Sequence, residues 1–224
     1  MEMERRELTE AQEDYLKQIF LLEQAGERVT TQSLAARLSV RPASVTEMVG
    51  RLAQQGLVEH TPYRPTRLRE SGRRVALELL RHHRLLETFL VEHLGYTWDQ
   101  VHEEAERLEH VISERFEARI AEVLGHPTHD PHGDPIPDQE LAMPAIDGQR
   151  SLSDLEVGSA GTLVRVGSQE RRILAELACL GLTLGLEIEV VEVGGDSIRV
   201  RRGDEILAVP LVLADELWIE GDIT

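Results

Sequence analysis

Apolar residues recur at helical spacing through the first half of the chain and at strand spacing through its last third. Ala11, Tyr15, Ile19 and Leu22 share one helical face, behind a Thr9–Gln12 capping box and ahead of Gly26. Leu34, Ala35 and Leu38 mark a short second helix from about Thr31 to Leu38. Pro42 suits a helix first turn and opens a third, carried by Val45, Val49 and Leu52 to Gln55 and stopped by Gly56. Leu57–Thr61 and Thr66–Arg69 read as two short strands around Tyr63-Arg64-Pro65. Ser71 opens a long helix to about Leu94, and Thr97 with Gln100 starts another, expected to run unbroken to Leu124 before Gly125.

Beyond a Pro-, Asp- and His-rich loop at 126–150 the spacing changes to that of strands. Gly161–Val166, Glu187–Val193, Ser197–Arg202, Ile206–Pro210 and Glu216–Ile219 read as five strands, interrupted by a helix at about Gln169–Leu180. The expected architecture is mainly α with a small β part. It comprises a winged helix-turn-helix over 1–75, a helical domain over 76–140, a linker over 141–150 and a five-stranded SH3-like barrel over 151–224.

Charge divides the chain in the same places. The net charge of −17 argues against general nucleic-acid binding. Residues 1–75, however, hold 12 Lys/Arg against 11 Asp/Glu, whereas 76–140 hold 5 against 15 and 141–224 hold 7 against 15. Only the first third can sit on phosphate without large repulsion. Its candidates for DNA contact are Thr31 on the second helix, Arg41, Ser44, Thr46, Glu47 and Arg51 on the third, and Arg64 and Arg67 with Tyr63 at the hairpin. The rival reading of three short helices and a hairpin is a plain packing or protein-interaction module.

The acidic middle third carries the candidate chemistry. His83 and Glu87 lie on one predicted helix, and His102, Glu106, Glu109 and His110 on the next, with Glu103 beside them. At about 100° per residue the last four fall within roughly a 100° arc. Val101, Ala105, Leu108 and Ile112 form an apolar stripe directly beside that arc, whereas a solvated charged face would lie opposite it. Carboxylates and imidazoles at the edge of a core need a partner, and one divalent cation satisfies several. His126, His129 and His132 are read as part of an ordered, proline-braced linker rather than as ligands. The single cysteine, Cys179, in the apolar run Leu177–Leu182, excludes an intrachain disulfide and is expected in the core. No signal-like start and no apolar run near 18 residues is found, so a soluble, cytoplasmic protein away from membranes is expected.

Four segments together resemble the DtxR/MntR family of metal-dependent transcriptional regulators, in its three-domain form. They are SVRPASVTEMVGRLAQQGLV (Ser39–Val58), HHRLLETFL (His82–Leu90), VHEEAERLEHVIS (Val101–Ser113) and PHGDPIP (Pro131–Pro137). The resemblance implies a homodimer on double-stranded operator DNA, with the second domain serving dimerisation and metal binding. It implies one metal site at Asp14, Glu106, Glu109 and His110, and a second at His83, Glu87 and His102, with Glu170 a candidate from the third domain. Carboxylates at positions 14 and 106, where the iron-responsive branch has Met and Cys, favour Mn²⁺ over Fe²⁺ as activator. Lys17 stands where the branch with a paired-ion site has Glu, and Glu47 where iron-responsive members have an amide. The function so implied is metal-activated repression of metal-uptake genes; the rival readings are a metallohydrolase or a metal-buffering protein using the same His/Glu cluster.

Overall fold

The computed structural model describes residues 8–61 and 64–221. Tyr63, expected at the hairpin tip, lies outside the described residues. The chain forms two compact units. The first runs from the start of the described residues to His83, with Leu108–Arg119 and Pro137–Ala142; the second takes Arg84–Arg107, Ile120–Ile136 and the chain from Met143 onward.

The first unit opens with α1 (Glu10–Gln24), where Thr9 and Gln12 form the reciprocal capping box and Gly26 takes a φ of +70° just past the end. Then follow α2 (Thr31–Arg37) and α3 (Pro42–Gln54), and a two-stranded antiparallel wing, β1 (Val58–Glu59) with β2 (Arg67–Leu68). The wing is shorter than the sequence suggests. Tyr15, Leu16, Ile19, Leu22, Leu34, Val45, Val49, Leu52 and Val58 are buried, one apolar face from each element. Glu23 accepts from the Leu68 N–H (3.0 Å) and pairs with Arg73 (3.0 Å), fixing α1 to the base of the wing. The long helix α4 (Glu70–Leu94) begins here, so close that a Cβ on Gly72 would stand 2.1 Å from the Leu57 carbonyl oxygen. Only glycine fits there.

The second predicted long helix is two helices. α5 (Val101–Leu108) ends in a turn in which the N–H groups of Val111 and Ile112 both donate to Leu108 O, and α6 (Glu114–Val123) starts afresh. Ser113 makes the new start, its hydroxyl accepting from Phe116 N–H at 3.3 Å. Glu109 and His110 therefore sit in the break and not on a continuous stripe. Past the break Phe116 is exposed, whereas Ile112 is half-buried and Ile120 buried.

In the second unit the β part is a six-stranded antiparallel sheet ordered β3-β8-β4-β5-β6-β7. Its strands are β3 (Gln149–Ser151), β4 (Ala160–Val166), β5 (Glu187–Val193), β6 (Ser197–Arg202), β7 (Glu205–Pro210) and β8 (Leu217–Glu220). β3 is the strand that alternation missed: three residues at the edge, paired to β8, within the stretch expected as linker. α7 (Arg171–Cys179) turns Leu174 and Leu177 into a core with Leu163, Val166, Val190, Ile198, Val200, Leu217 and Ile219, and α8 (Leu211–Ala214) adds Leu213. Cys179 is exposed rather than packed, because two residues past Leu177 it faces away from the sheet. No described helix is long and apolar enough to cross a membrane.

Candidate metal centre

Each unit assembles potential metal ligands. In the first, Asp14 comes from α1, and Glu109 and His110 from the turn after α5; one ligand atom of each lies within 4.8 Å of the others. His110 Nε2 is 3.1 Å from Asp14 Oδ1 and 3.6 Å from Glu109 Oε1, while its Nδ1 is 2.6 Å from Glu13 Oε2. Glu109 is fully buried. Lys17, also buried, places its ammonium 2.5 Å from Glu109 Oε1, and His83 Nδ1 bonds the other oxygen. Asp14 Oδ1 is buried, with the His110 imidazole beside it.

Burial pulls the His110 pKa down. Hydrogen bonds to Asp14 and Glu13 and the charges of Glu109 and Asp14 outweigh burial and raise it to about 10. The imidazole is thus a cation at neutral pH, held where carboxylates converge. These donors suit a hard divalent ion: two carboxylates and one imidazole, with a buried carboxylate oxygen facing the ring.

In the second unit Glu87 on α4 meets Asp130 and His132 of the 126–137 loop, all buried and with ligand atoms within 4.8 Å of one another. The loop is held by backbone bonds: Asp130 Oδ1 accepts from the N–H groups of His132 (2.8 Å) and Asp134 (3.0 Å), and Ile136 N–H donates to Thr128 O (2.8 Å). Gly133, at φ +86°, lies against β4, where a Cβ would meet the Val164 carbonyl oxygen at 2.0 Å.

His132 Nε2 donates to the Trp98 carbonyl at 2.8 Å, which leaves Nδ1 facing Glu87 Oε2 at 3.6 Å. Asp130 Oδ2 and His132 Nδ1 are both buried. Burial, then the charges of Glu87 and Asp130's other neighbour Asp134, push the Asp130 carboxyl up. Burial alone would lower the His132 pKa, but the hydrogen bond and charge of Glu87, the charge of Asp130 and the Trp98 carbonyl raise it to about 9. Arg84 closes the far side, 3.7 Å from Asp130 and 3.5 Å from Asp134. This set also fits a divalent ion.

Of the ligands expected from the sequence, Asp14, Glu109 and His110 come together, and Glu87 has His102 Nδ1 at 3.2 Å from Oε1. Glu106 belongs to the second unit, 3.8 Å from His102, and His83 is in the first, bonded to Glu109. Glu170 is exposed at the start of α7 and joins neither group. Sequence reasoning missed Glu13, Asp130 and His132, and marked Lys17 only as a departure from the family pattern. His132 had been read as linker, and only its place within PHGDPIP marked it; His126 and His129 are exposed.

The DNA-contact candidates Arg41, Ser44, Thr46, Glu47, Arg51, Arg64 and Arg67 are all exposed, and Thr31 is partly so. Arg51 and Glu47 pair with each other one turn apart on α3. Gln12 of α1 donates to Gln55, just past α3, at 2.7 Å.

Three family models match in succession. The N-terminal DNA-binding domain of iron-dependent repressors covers residues 7–65, their metal-binding and dimerisation domain 69–138, and the FeoA domain 150–221. A solved manganese-dependent transcriptional repressor in complex with manganese is 38% identical, with a TM-score of 0.87, over 94% of this chain and 99% of that one. The manganese regulator SloR is 32% identical at a TM-score of 0.77, over 93% and 97%. The iron-dependent repressor IdeR of Mycobacterium tuberculosis is 40% identical over 131 residues, 58% of this chain and 57% of that protein. The diphtheria toxin repressor of Corynebacterium diphtheriae is 28% identical over 90% of this chain and 93% of its own length.

Proposed function

Since this chain belongs to the DtxR/MntR family of metal-dependent transcriptional regulators, we propose that it is a homodimeric repressor of metal-uptake genes, activated for operator binding by a divalent ion at Asp14, Glu109 and His110. The observation that carries this reading is where the donors originate. Asp14 stands on α1, which is bonded through Gln12 to the residue after α3, the helix that would enter the major groove. Glu109 and His110 come from a turn much later in the chain. Donors that share one ion tie α1 to that turn, and so limit the orientations open to α3. If the competent arrangement makes up about 1% of the ion-free ensemble, fixing it raises apparent DNA affinity about a hundredfold.

Charge balance supports one ion at this cluster. Glu13, Asp14 and Glu109 are negative and Lys17 positive, so one divalent ion in place of the His110 proton leaves the group neutral. Glu106 is the fourth donor that the family resemblance adds. A second ion is assigned to Glu87, Asp130 and His132, with His102 beside them, and Glu170 remains the weakest candidate.

Thr31, Arg41, Ser44, Thr46, Glu47 and Arg51 would face the groove, and Arg64 and Arg67 the flanking phosphates. The exposed apolar side chains Val111, Phe116 and Val123 suit a dimer contact. The division into a DNA-binding domain over 1–75, a dimerisation and metal domain over 76–140, a linker over 141–150 and an SH3-like domain over 151–224 belongs to the same proposal, as does a cytoplasmic site of action.

Carboxylate oxygens with one imidazole nitrogen favour Mn²⁺, with Fe²⁺ second. Operator binding measured anaerobically at buffered free-metal levels tests this. Activation by Mn²⁺ at levels where Fe²⁺ gives less is expected, and activation by Fe²⁺ where Mn²⁺ gives none would overturn the assignment.

A further inference from the structure

A third group of potential ligands stands apart from the two above. Glu78 and His82 lie one turn apart on the same face of α4, and Glu114 is the first residue of α6; one ligand atom from each lies within 4.8 Å of the others. All three belong to the first unit.

The His82 ring is fully buried and its orientation is set by the backbone. Nδ1 lies 3.2 Å from the Glu109 carbonyl oxygen, which can only accept, so Nδ1 carries the hydrogen. Nε2 lies 3.3 Å from Glu114 Oε1. Metal-ligating histidines show this same arrangement, one ring nitrogen donating to a carbonyl and the other aimed at the ion.

We propose that Glu78, His82 and Glu114 form a separate site for a divalent first-row cation. One imidazole nitrogen and two carboxylates suit Zn²⁺, Co²⁺ or Mn²⁺. Metal–ligand bonds of about 2.0–2.2 Å bring ligand atoms to roughly 3–4 Å from one another, so the His82–Glu114 separation is already that of two ligands. The Glu114 side chain is 45% exposed, so water can complete the shell of an ion held there.

The consequence reaches the first cluster through the backbone. A cation here joins α4 to the start of α6, and His82 also bonds the carbonyl of Glu109, whose side chain is a proposed ligand. The site would brace the turn that carries Glu109 and His110. It rests on its own geometry and stands whether or not the ion at Asp14 controls DNA binding.

Zn²⁺ titration of the full chain by calorimetry, with native mass spectrometry counting ions, provides the test. Wild type is compared with Glu78→Gln, Glu114→Gln and the double variant, each checked for folding by circular dichroism. The expected result is that the double variant holds one ion fewer, or holds one at least tenfold more weakly, while the other ions bind as before. Identical stoichiometry and isotherms would overturn the proposal, leaving a proton as the cation between His82 and Glu114. Loss of every ion would also overturn it, since the site would not be separate. Should the double variant misfold, Glu114→Gln alone, at an exposed helix start, gives the same readout.

Discussion

Asp14, Glu109 and His110 are gathered from a helix and a turn that only tertiary packing brings together, with a lysine already on the shared carboxylate. Glu87, Asp130 and His132 are all buried; their loop is pinned by its own backbone bonds, by Gly133 against β4 and by the Trp98 carbonyl on His132. The first set joins α1 to the turn through ion pairs among the donors themselves, so an ion that displaces the His110 proton changes what links them. The second keeps its shape through hydrogen bonds that do not involve an ion. Similar donors can therefore serve as a switch in one setting and a staple in another, and the surrounding backbone decides which.

The largest expected effect breaks that contrast directly. His110→Ala should remove the metal-dependent gain in operator affinity, a loss of about a hundredfold, whereas His132→Ala should keep most of the gain and lower thermal stability. Fluorescence anisotropy on an operator duplex and a thermal melt, run on both variants, would show the reverse pattern if the roles are exchanged. Glu109→Ala is the poorer probe. It strips Lys17 of its buried partner, and breaking such a pair costs about 3–5 kcal/mol.

Lys17 sharpens the same comparison. A unit charge beside the bound ion opposes it, so Lys17→Met should tighten ion binding at the first cluster by roughly tenfold or more. Unchanged affinity by calorimetry would mean that the ammonium is not felt by the ion.

Dependence on pH follows from the His110 pKa of about 10. Below that value the ring carries a proton that the ion must displace, so affinity at the first cluster should rise with pH, by about tenfold per unit. The sign is fixed: the pKa is raised, the proton favours the ion-free state, and acid weakens binding. Calorimetry in buffers of different ionisation enthalpy should report about one proton released at this cluster, and none released would contradict the assignment.

The smallest effect lies outside both clusters and acts as their control. Arg64→Ala and Arg67→Ala should each lower the slope of log affinity against log salt by about 1, weaken all DNA sequences alike and leave ion binding unchanged. An unaltered slope in the double variant would show that the wing does not engage phosphate.

Local chemistry made the helix ends readable: Thr9 with Gln12, Pro42, and the glycines at 26, 56 and 95 all act where their spacing suggests. Glu109 and His110 were legible as candidate ligands because they border an apolar stripe. Asp14 came only from family resemblance, since a carboxylate in a helix first turn has an ordinary explanation of its own. Glu13, Asp130 and His132 were missed because their partners lie far away in sequence. The break after Leu108 was hidden by Ile112 and Phe116, which continue the helical spacing, yet Ser113 followed by Glu114 and Glu117 is a helix-start pattern that could have revealed it. β3, three residues at a sheet edge, is too short for alternation to mark.

The most direct test is operator affinity of the wild-type chain, on its own promoter or that of a neighbouring transporter, measured once in chelator and once at saturating buffered Mn²⁺. The account predicts weak binding in chelator and a gain of about a hundredfold with Mn²⁺. Equal affinity in the two conditions would contradict it.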